Sequence, residues 1–246
     1  LGGDGSVSYT PVSGVVGVDS FSYQATGAGQ SANAQVSVYV VPTQGTTSPT
    51  LNLLALNAQE QVTATYTAFF GRGADLAGFQ FWVNQFNAGS GQSPSTLFAD
   101  IANAFGTSSE AKALYPFLAN PKGASDGQIS DFLDAVYNNL FARSSDSAGL
   151  TYWTAQIKQA LTAGQFVGSV LVNIVSGAQA GHDVEALMGK VAVGLEFVNQ
   201  QQARQMPWND AVNNATATML LHGVTNDPHS ILMGIKEADQ LVAVST

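Results

Sequence analysis

The chain has 246 residues, a formal net charge of −9, 10% charged side chains and no cysteine. Ordinary soluble domains carry ~25% charged residues. Three arginines (Arg72, Arg143, Arg204) and five lysines give no basic footprint for nucleic acid. The lack of cysteine excludes disulfides, thiol catalysis and thiolate metal sites. No apolar run reaches the ~18 residues of a membrane span. The start, Leu1-Gly2-Gly3-Asp4-Gly5, lacks the basic and apolar regions of a signal peptide. A low-lysine composition rich in Ser, Thr, Ala, Gly and Asn suggests an extracellular protein at a bacterial cell surface.

The first fifty residues carry only Asp4 and Asp19 as charges, and they alternate. Ser6–Thr10 reads as a strand ending at Pro11. Asp19–Gln24 reads as a second, with Phe21 and Tyr23 on one face. Residues 34–40 read as a third, with Val36, Val38 and Val40 at period two. Gly27-Ala28-Gly29 is the turn between the last two. The stretches Asp-Gly-Ser-Val-Ser-Tyr-Thr-Pro, Gly-Val-Asp-Ser-Phe-Ser-Tyr and Ala-Gln-Val-Ser-Val-Tyr-Val resemble the last strands of cadherin-like, immunoglobulin-like domains of bacterial surface adhesins. The resemblance covers residues 3–41 and implies part of a β-sandwich, about half of one domain, entered in mid-domain. The rest of its sheet is expected on a preceding segment or on a neighbouring subunit. Residues 1–42 are thus expected to be a partial β module, and 43–55 a Pro/Gly/Thr linker.

After the linker the apolar period becomes 3.6. Val62, Tyr66, Phe69 and Phe70 form one stripe, and Phe79, Trp82, Val83 and Phe86 a second. The strongest joins Ile129, Phe132, Leu133, Val136, Tyr137, Leu140 and Phe141, and Leu150, Trp153, Ile157 and Leu161 follow. Further helices are expected near 94–105, 109–118, 165–176, 183–204, 209–222 and 228–242. Start signals stand at Ser93-Pro94, Ser108, Asp126 and Asp227-Pro228, and Pro207 ends the long helix.

The chain also matches itself at an offset of 71. Tyr66, Phe70, Arg72, Asp75, Gly78 and Trp82 recur as Tyr137, Phe141, Arg143, Asp146, Gly149 and Trp153. The motif is a helix, a corner and a second helix. Asp75 and Asp146 are placed to cap the second helix. Gly78 and Gly149 are expected to let the two backbones approach closely. Arg72 and Arg143 can reach the aspartate or the carbonyls that end the first helix. The two repeat cores run over about 62–105 and 133–176, with C-terminal helices over 183–242.

Phe-Phe-Gly-Arg-Gly-Ala-Asp-Leu-Ala-Gly-Phe-Gln-Phe-Trp and Leu-Phe-Ala-Arg-Ser-Ser-Asp-Ser-Ala-Gly-Leu-Thr-Tyr-Trp resemble a tandem helical domain of unknown function. That domain occurs in type I-secreted and RTX-associated bacterial proteins. Its signature is Leu-Phe-Gly-Arg-x-x-Asp-x-x-Gly-x-x-Tyr-Trp. The resemblance covers 56–242 and implies an extracellular module with no catalytic residues to carry over. Ala142 stands in place of the usual glycine, and Phe81 in place of the usual tyrosine. A fainter similarity, through a comparable Tyr-x-Phe-Phe-x-Gly stretch, links the helical region to domains that anchor S-layer proteins to lipopolysaccharide.

Catalytic patterns do not emerge. His182, His222 and His229 form no metal-spaced pair, and neither a nucleophile elbow nor a phosphate-binding loop is present. Asp131 and Asp134 share a helix face, an arrangement more often solvated than catalytic. The only cofactor left open is calcium held by dispersed acids. The expected fold class is β plus α: a small immunoglobulin-like part, then a mostly helical domain with a duplicated helix–loop–helix. The expected function is non-enzymatic, a structural or adhesive surface component that self-assembles or anchors, as in an S-layer, fibre or adhesin. The alternative is an accessory carbohydrate-binding or targeting domain of a larger secreted enzyme. Candidate glycan or interface residues are Arg72, Asp75, Trp82, Arg143, Asp146 and Trp153. Partners are expected to be further copies, a neighbouring subunit, or a surface glycan or lipopolysaccharide, with no nucleic acid.

Overall fold

The structure, a computed structural model, describes residues 7–10, 17–27, 29–40, 56–89, 92–178 and 181–241. The expected linker over 43–55 lies outside these residues, as does most of the N-terminal stretch that carries the adhesin resemblance before Gly17. The described chain is a β-hairpin followed by a large helical body.

The hairpin pairs β1 (Gly17–Gly27) with β2 (Gln30–Val40) in antiparallel register from Gly17 opposite Val40 to Gly27 opposite Gln30. The loop between them is two residues long, and Gly29 takes φ +79°, where a side chain would be strained. The period-two signal therefore marks real strands, but each extends further than the sequence suggests. Of the strand expected over Ser6–Thr10, residues 7–10 are described, and they have no regular structure. Among the described residues the sheet has two strands, and the expected immunoglobulin-like sandwich is not seen in them.

The helical body contains ten α-helices among the described residues. The first repeat supplies α1 (Ala58–Phe70), α2 (Leu76–Ala88), α3 (Pro94–Gly106) and α4 (Ser109–Leu114). The second supplies α5 (Asp126–Phe141), α6 (Ser147–Thr162), α7 (Gly168–Ser176) and the start of the long α8 (His182–Arg204). Then come α9 (Asp210–His222) and α10 (Pro228–Gln240). Expected starts hold at Ser93, Ser108 and Asp227, whose side chains accept from main-chain N–H groups of the first turn. Near Asp126 the cap is one residue earlier. Ser125 and Gln128 form a capping box, and Asp126 is the first helical residue. The helix expected over 109–118 is divided, because Pro116 cannot continue α4 and opens a 3-10 turn, Pro116–Ala119.

The centre of the body is α1, buried on every side from Glu60 to Phe69. Polar residues survive there because each makes at least one hydrogen bond, although Gln61 Oε1 has no partner among the described residues. The hydroxyls of Thr63, Thr65 and Thr67 donate to the carbonyls four residues back, and the Gln61 amide donates to the Leu56 carbonyl. Helices α2, α3, α5 and α8 pack around it. The crossing of α1 with α8 is very close: a Cβ on Gly194 would sit 2.6 Å from Thr63 Cγ2. A second cluster, with Val193, Phe197, Leu220, Leu221 and Ile231, joins α8 to α9 and α10.

Candidate functional site

The repeated motif builds two corners of the same design. In the first, α1 ends at Phe70, and Gly71 turns the chain at φ +61°. Asp75 caps α2, its Oδ1 accepting from Gly78 N at 2.6 Å. Tyr66 donates to Asp75 Oδ2 at 3.3 Å. Arg72 does not reach Asp75. Its Nε and Nη2 donate to the two carboxylate oxygens of Glu110, both at 2.8 Å, and its Nη1 donates to the Gly73 carbonyl. Its guanidinium carbon lies 5.2 Å from the ring centres of both Tyr66 and Phe70.

The second corner repeats this. Asp146 accepts from Gly149 N at 2.7 Å. Arg143 donates through Nε and Nη2 to Asp183 at 2.6 and 2.7 Å, and through Nη1 to the Ser144 carbonyl. It too lies over the rings of Tyr137 and Phe141. Glu110 and Asp183 each stand second in their helix, α4 and α8. Each arginine therefore fastens the end of a repeat's first helix to the start of its fourth, where a carboxylate also suits the helix dipole. This longer reach replaces both expected partners, the capping aspartate and the carbonyls that end the first helix. Hydrogen bonding to Asp183 raises the Arg143 pKa above its ordinary value. Burial raises the tyrosine pKa values at Tyr66 and Tyr137, so both rings remain neutral beneath the guanidinium.

The two glycines answer differently from expectation. A Cβ on Gly78 would meet the Tyr66 hydroxyl at 2.2 Å, so it is a side chain, not the backbone of α1, that requires the glycine. At Gly149 the nearest atom to such a Cβ is Asp146 Oδ1 at 3.4 Å, an ordinary contact, so the second repeat has no close approach there. Trp82 and Trp153 are half-buried against the core. Trp82 packs 5.3 Å from the Phe105 ring, and Trp153 Nε1 donates to the Tyr137 hydroxyl at 2.9 Å. The ring beside each tryptophan is the exposed one: Phe81 is 53% and Tyr152 56% accessible.

The motif residues thus form two local groups, Arg72 with Asp75 and Trp82, and Arg143 with Asp146 and Trp153. A family model described as a domain of unknown function (DUF4214) matches residues 118–173. This stretch holds α5, α6 and most of α7, including the second corner. No curated protein and no solved structure matches the chain.

Two clefts flank these groups. One, of about 300 Å³ between α2 and α3, brings the Trp82 and Phe86 rings together with Gln85, Gln92 and Asp100. The other, of about 390 Å³ between α5 and α6, is lined by Ser130, Thr151, Thr154 and the ion pair of Lys158 with Asp126. Among the described residues no three His, Asp or Glu side chains converge as metal ligands would. No described helix is long and apolar enough to cross a membrane.

One buried cation carries no sequence motif. Lys190, in the middle of α8, is 3% exposed. Its Nζ donates to the Leu221 carbonyl at 3.1 Å and the Asn138 carbonyl at 3.3 Å, in the last turns of α9 and α5. It joins three helices by adding a second donor to carbonyls that already accept from Ala142 N and Val224 N at the helix ends. Burial lowers its pKa to about 8.

Proposed function

We propose that this chain is a non-enzymatic extracellular component of a bacterial cell surface that works by assembly, as a layer, fibre or adhesin part. The observation that carries this reading is the hairpin. Each strand is eleven residues long, and neither outer edge has a pairing strand among the described residues. A two-stranded ribbon alone is marginal in water. Natural edge strands are usually guarded by lysine, proline or a bulge, and neither lysine nor proline occurs from Gly17 to Val40. Such an edge is built for strand addition, and the partial immunoglobulin-like module read from the sequence would be completed that way by a neighbouring strand. The helical body supports the same reading, since both motif arginines are committed to internal ion pairs.

The test is association. The register makes Gly27 and Gln30 a hydrogen-bonded closing pair, so Ser20 and Ser37 form a non-bonded pair whose N–H groups face the outer edges. Ser37→Pro removes one outer donor and leaves the hairpin's own bonds in place. The unaltered chain should associate with rising concentration in light scattering and give ordered particles in electron microscopy. Ser37→Pro should stay monomeric. An unaltered chain that remains a monomer at hundreds of micromolar would overturn the reading.

The second reading, a carbohydrate-binding or targeting accessory of a larger secreted enzyme, is favoured by the cleft at Trp82, Gln85 and Asp100. Aromatic faces beside amide and carboxylate groups suit a sugar. Glycan-array binding that is lost in Asp100→Asn would support it, and an array with no hits would exclude it.

A further inference from the structure

The two corners share a design but not a covering. In the first, the chain's own C-terminal helices close over residues 72–76. Gly73 N donates to the Ala217 carbonyl at 3.2 Å. The Gln201 amide donates to the Ala74 carbonyl, and its oxygen accepts from Leu76 N, both at 2.9 Å. The Trp208 ring centre lies 5.8 Å from the Arg72 guanidinium carbon, a third ring beside those of Tyr66 and Phe70. Arg72 is 5% exposed as a result.

The equivalent groups of the second corner are Ser144 N, the Ser145 carbonyl and Ser147 N. None meets a partner among the described residues, and Ser144 and Ser147 are exposed. No third ring lies over Arg143 among the described residues, and its side chain is 27% accessible. We propose that this second corner is a docking site for a helix of a separate protein module. That helix would present a glutamine or asparagine amide to Ser145 and Ser147, and an aromatic ring to Arg143, as Gln201 and Trp208 do in the first corner.

The corner also says what the partner is not. A Cβ on Gly73 would strike the Phe197 ring at 2.7 Å, and Ser144 carries that Cβ. The helix that fits must therefore bear a residue smaller than phenylalanine four positions before its amide. This excludes the α8 of a second copy, where Phe197 holds that position. The serines keep the corner wettable while it is uncovered, which suits a reversible contact.

The probe is a fluorescein-labelled peptide of residues 195–218 of this chain carrying Phe197→Ala, titrated against the full chain by anisotropy. Saturable binding is expected, weakened at least tenfold by Ser147→Pro in the protein or by Gln201→Leu in the peptide. Ser147 is the first residue of α6, where proline is accommodated, so this variant removes one donor and keeps the helix. An unchanged circular-dichroism melt verifies that. Absence of saturable binding overturns the proposal. Binding undiminished by Ser147→Pro also overturns it, since the peptide would then be exchanging with its own counterpart at the first corner. Self-association of the full chain that Ser147→Pro abolishes overturns the assignment to a separate module.

Discussion

At the scale of single residues, the chain uses its few charges as fasteners between helix ends. Arg72 and Arg143 hold acids in the first turn of α4 and α8. Arg204 donates to the main-chain carbonyls of Asp239 and Leu241, tying α8 to the end of α10. Lys190 is the most consequential, because it is buried without an acid beside it. Its proton is held less tightly in the folded chain, with a pKa of about 8, than in the unfolded chain, where lysine titrates near ~10.4. Below pH 8 both states are charged, and the folded state bears the full burial cost. Between the two values the unfolded chain binds more protons, so stability rises with pH. The two carbonyl bonds persist, since a neutral amine still donates. Above the ordinary tyrosine range the sign reverses. Burial raises the pKa values of Tyr66 and Tyr137 and pushes Tyr115 up to about 12, so the unfolded chain ionises first and the folded state loses ground. Urea unfolding across pH 7 to 11 should show stability climbing from pH 8 to a maximum near ~10 and then falling. The climb should approach ~3 kcal/mol at most. Lys190→Met should abolish the climb and keep the fall. A Lys190→Met profile that still climbs would remove the lysine from the explanation.

At the scale of elements, the sequence was informative wherever a contact is local. The caps at Asp75 and Asp146 are legible because donor and acceptor are three residues apart, and the stripe from Ile129 to Phe141 is legible because its period is that of one helix face. The arginine partners were not. Glu110 and Asp183 lie 38 and 40 residues beyond their arginines. Asp183 also follows Glu110 by 73 positions, two more than the repeat offset, so comparing the chain with itself at 71 misses the pair. The exposure of Phe81 and Tyr152, and not of the tryptophans, depends on α3 and α5, which no local pattern encodes. Nor could the repeat reveal that its two glycines differ. At Gly78 an added methyl collides with the Tyr66 hydroxyl, while at Gly149 it meets ordinary van der Waals distance. Gly78→Ala should therefore cost ~1–3 kcal/mol through overpacking. Gly149→Ala should stabilise by ~0.5–1 kcal/mol, because alanine loses less backbone entropy in a helix. Thermal melts of the two variants should move in opposite directions. Equal shifts would mean that the corners relax alike and that the Tyr66 contact does not constrain the first.

At the scale of the whole molecule, the question is whether the two repeats are two folding units or one. A duplicated sequence suggests independence, but the packing argues against it. One continuous apolar cluster runs from Leu56 through both repeats to Val198. The Phe69 and Phe132 rings lie 6.0 Å apart across the boundary, and Asn139 of the second repeat donates to the Ala68 carbonyl of the first at 3.1 Å. Gly71 has no room for a side chain because Asn139 occupies it: an added Cβ would lie 2.6 Å from Asn139 Oδ1. Above all, α1 belongs to the first repeat yet owes its burial to α5 and α8. A fragment of residues 56–124 would leave one side of α1 in water, with Phe69, which packs on Phe132, among the apolar residues that lose cover. Each large apolar side chain contributes ~1.5–3 kcal/mol when fully buried. A domain's net stability is only ~5–15 kcal/mol. Losing several such side chains, together with the Gln201 clamp on residues 74–76, consumes that margin. The fragment 56–124 should therefore show little helical signal in circular dichroism. Residues 56–241 should melt in one transition, with calorimetric and van't Hoff enthalpies in agreement. A folded fragment, or two resolved transitions, would mean that the duplication is preserved in folding as well as in sequence, and that α1 is held mainly by α2 and α3.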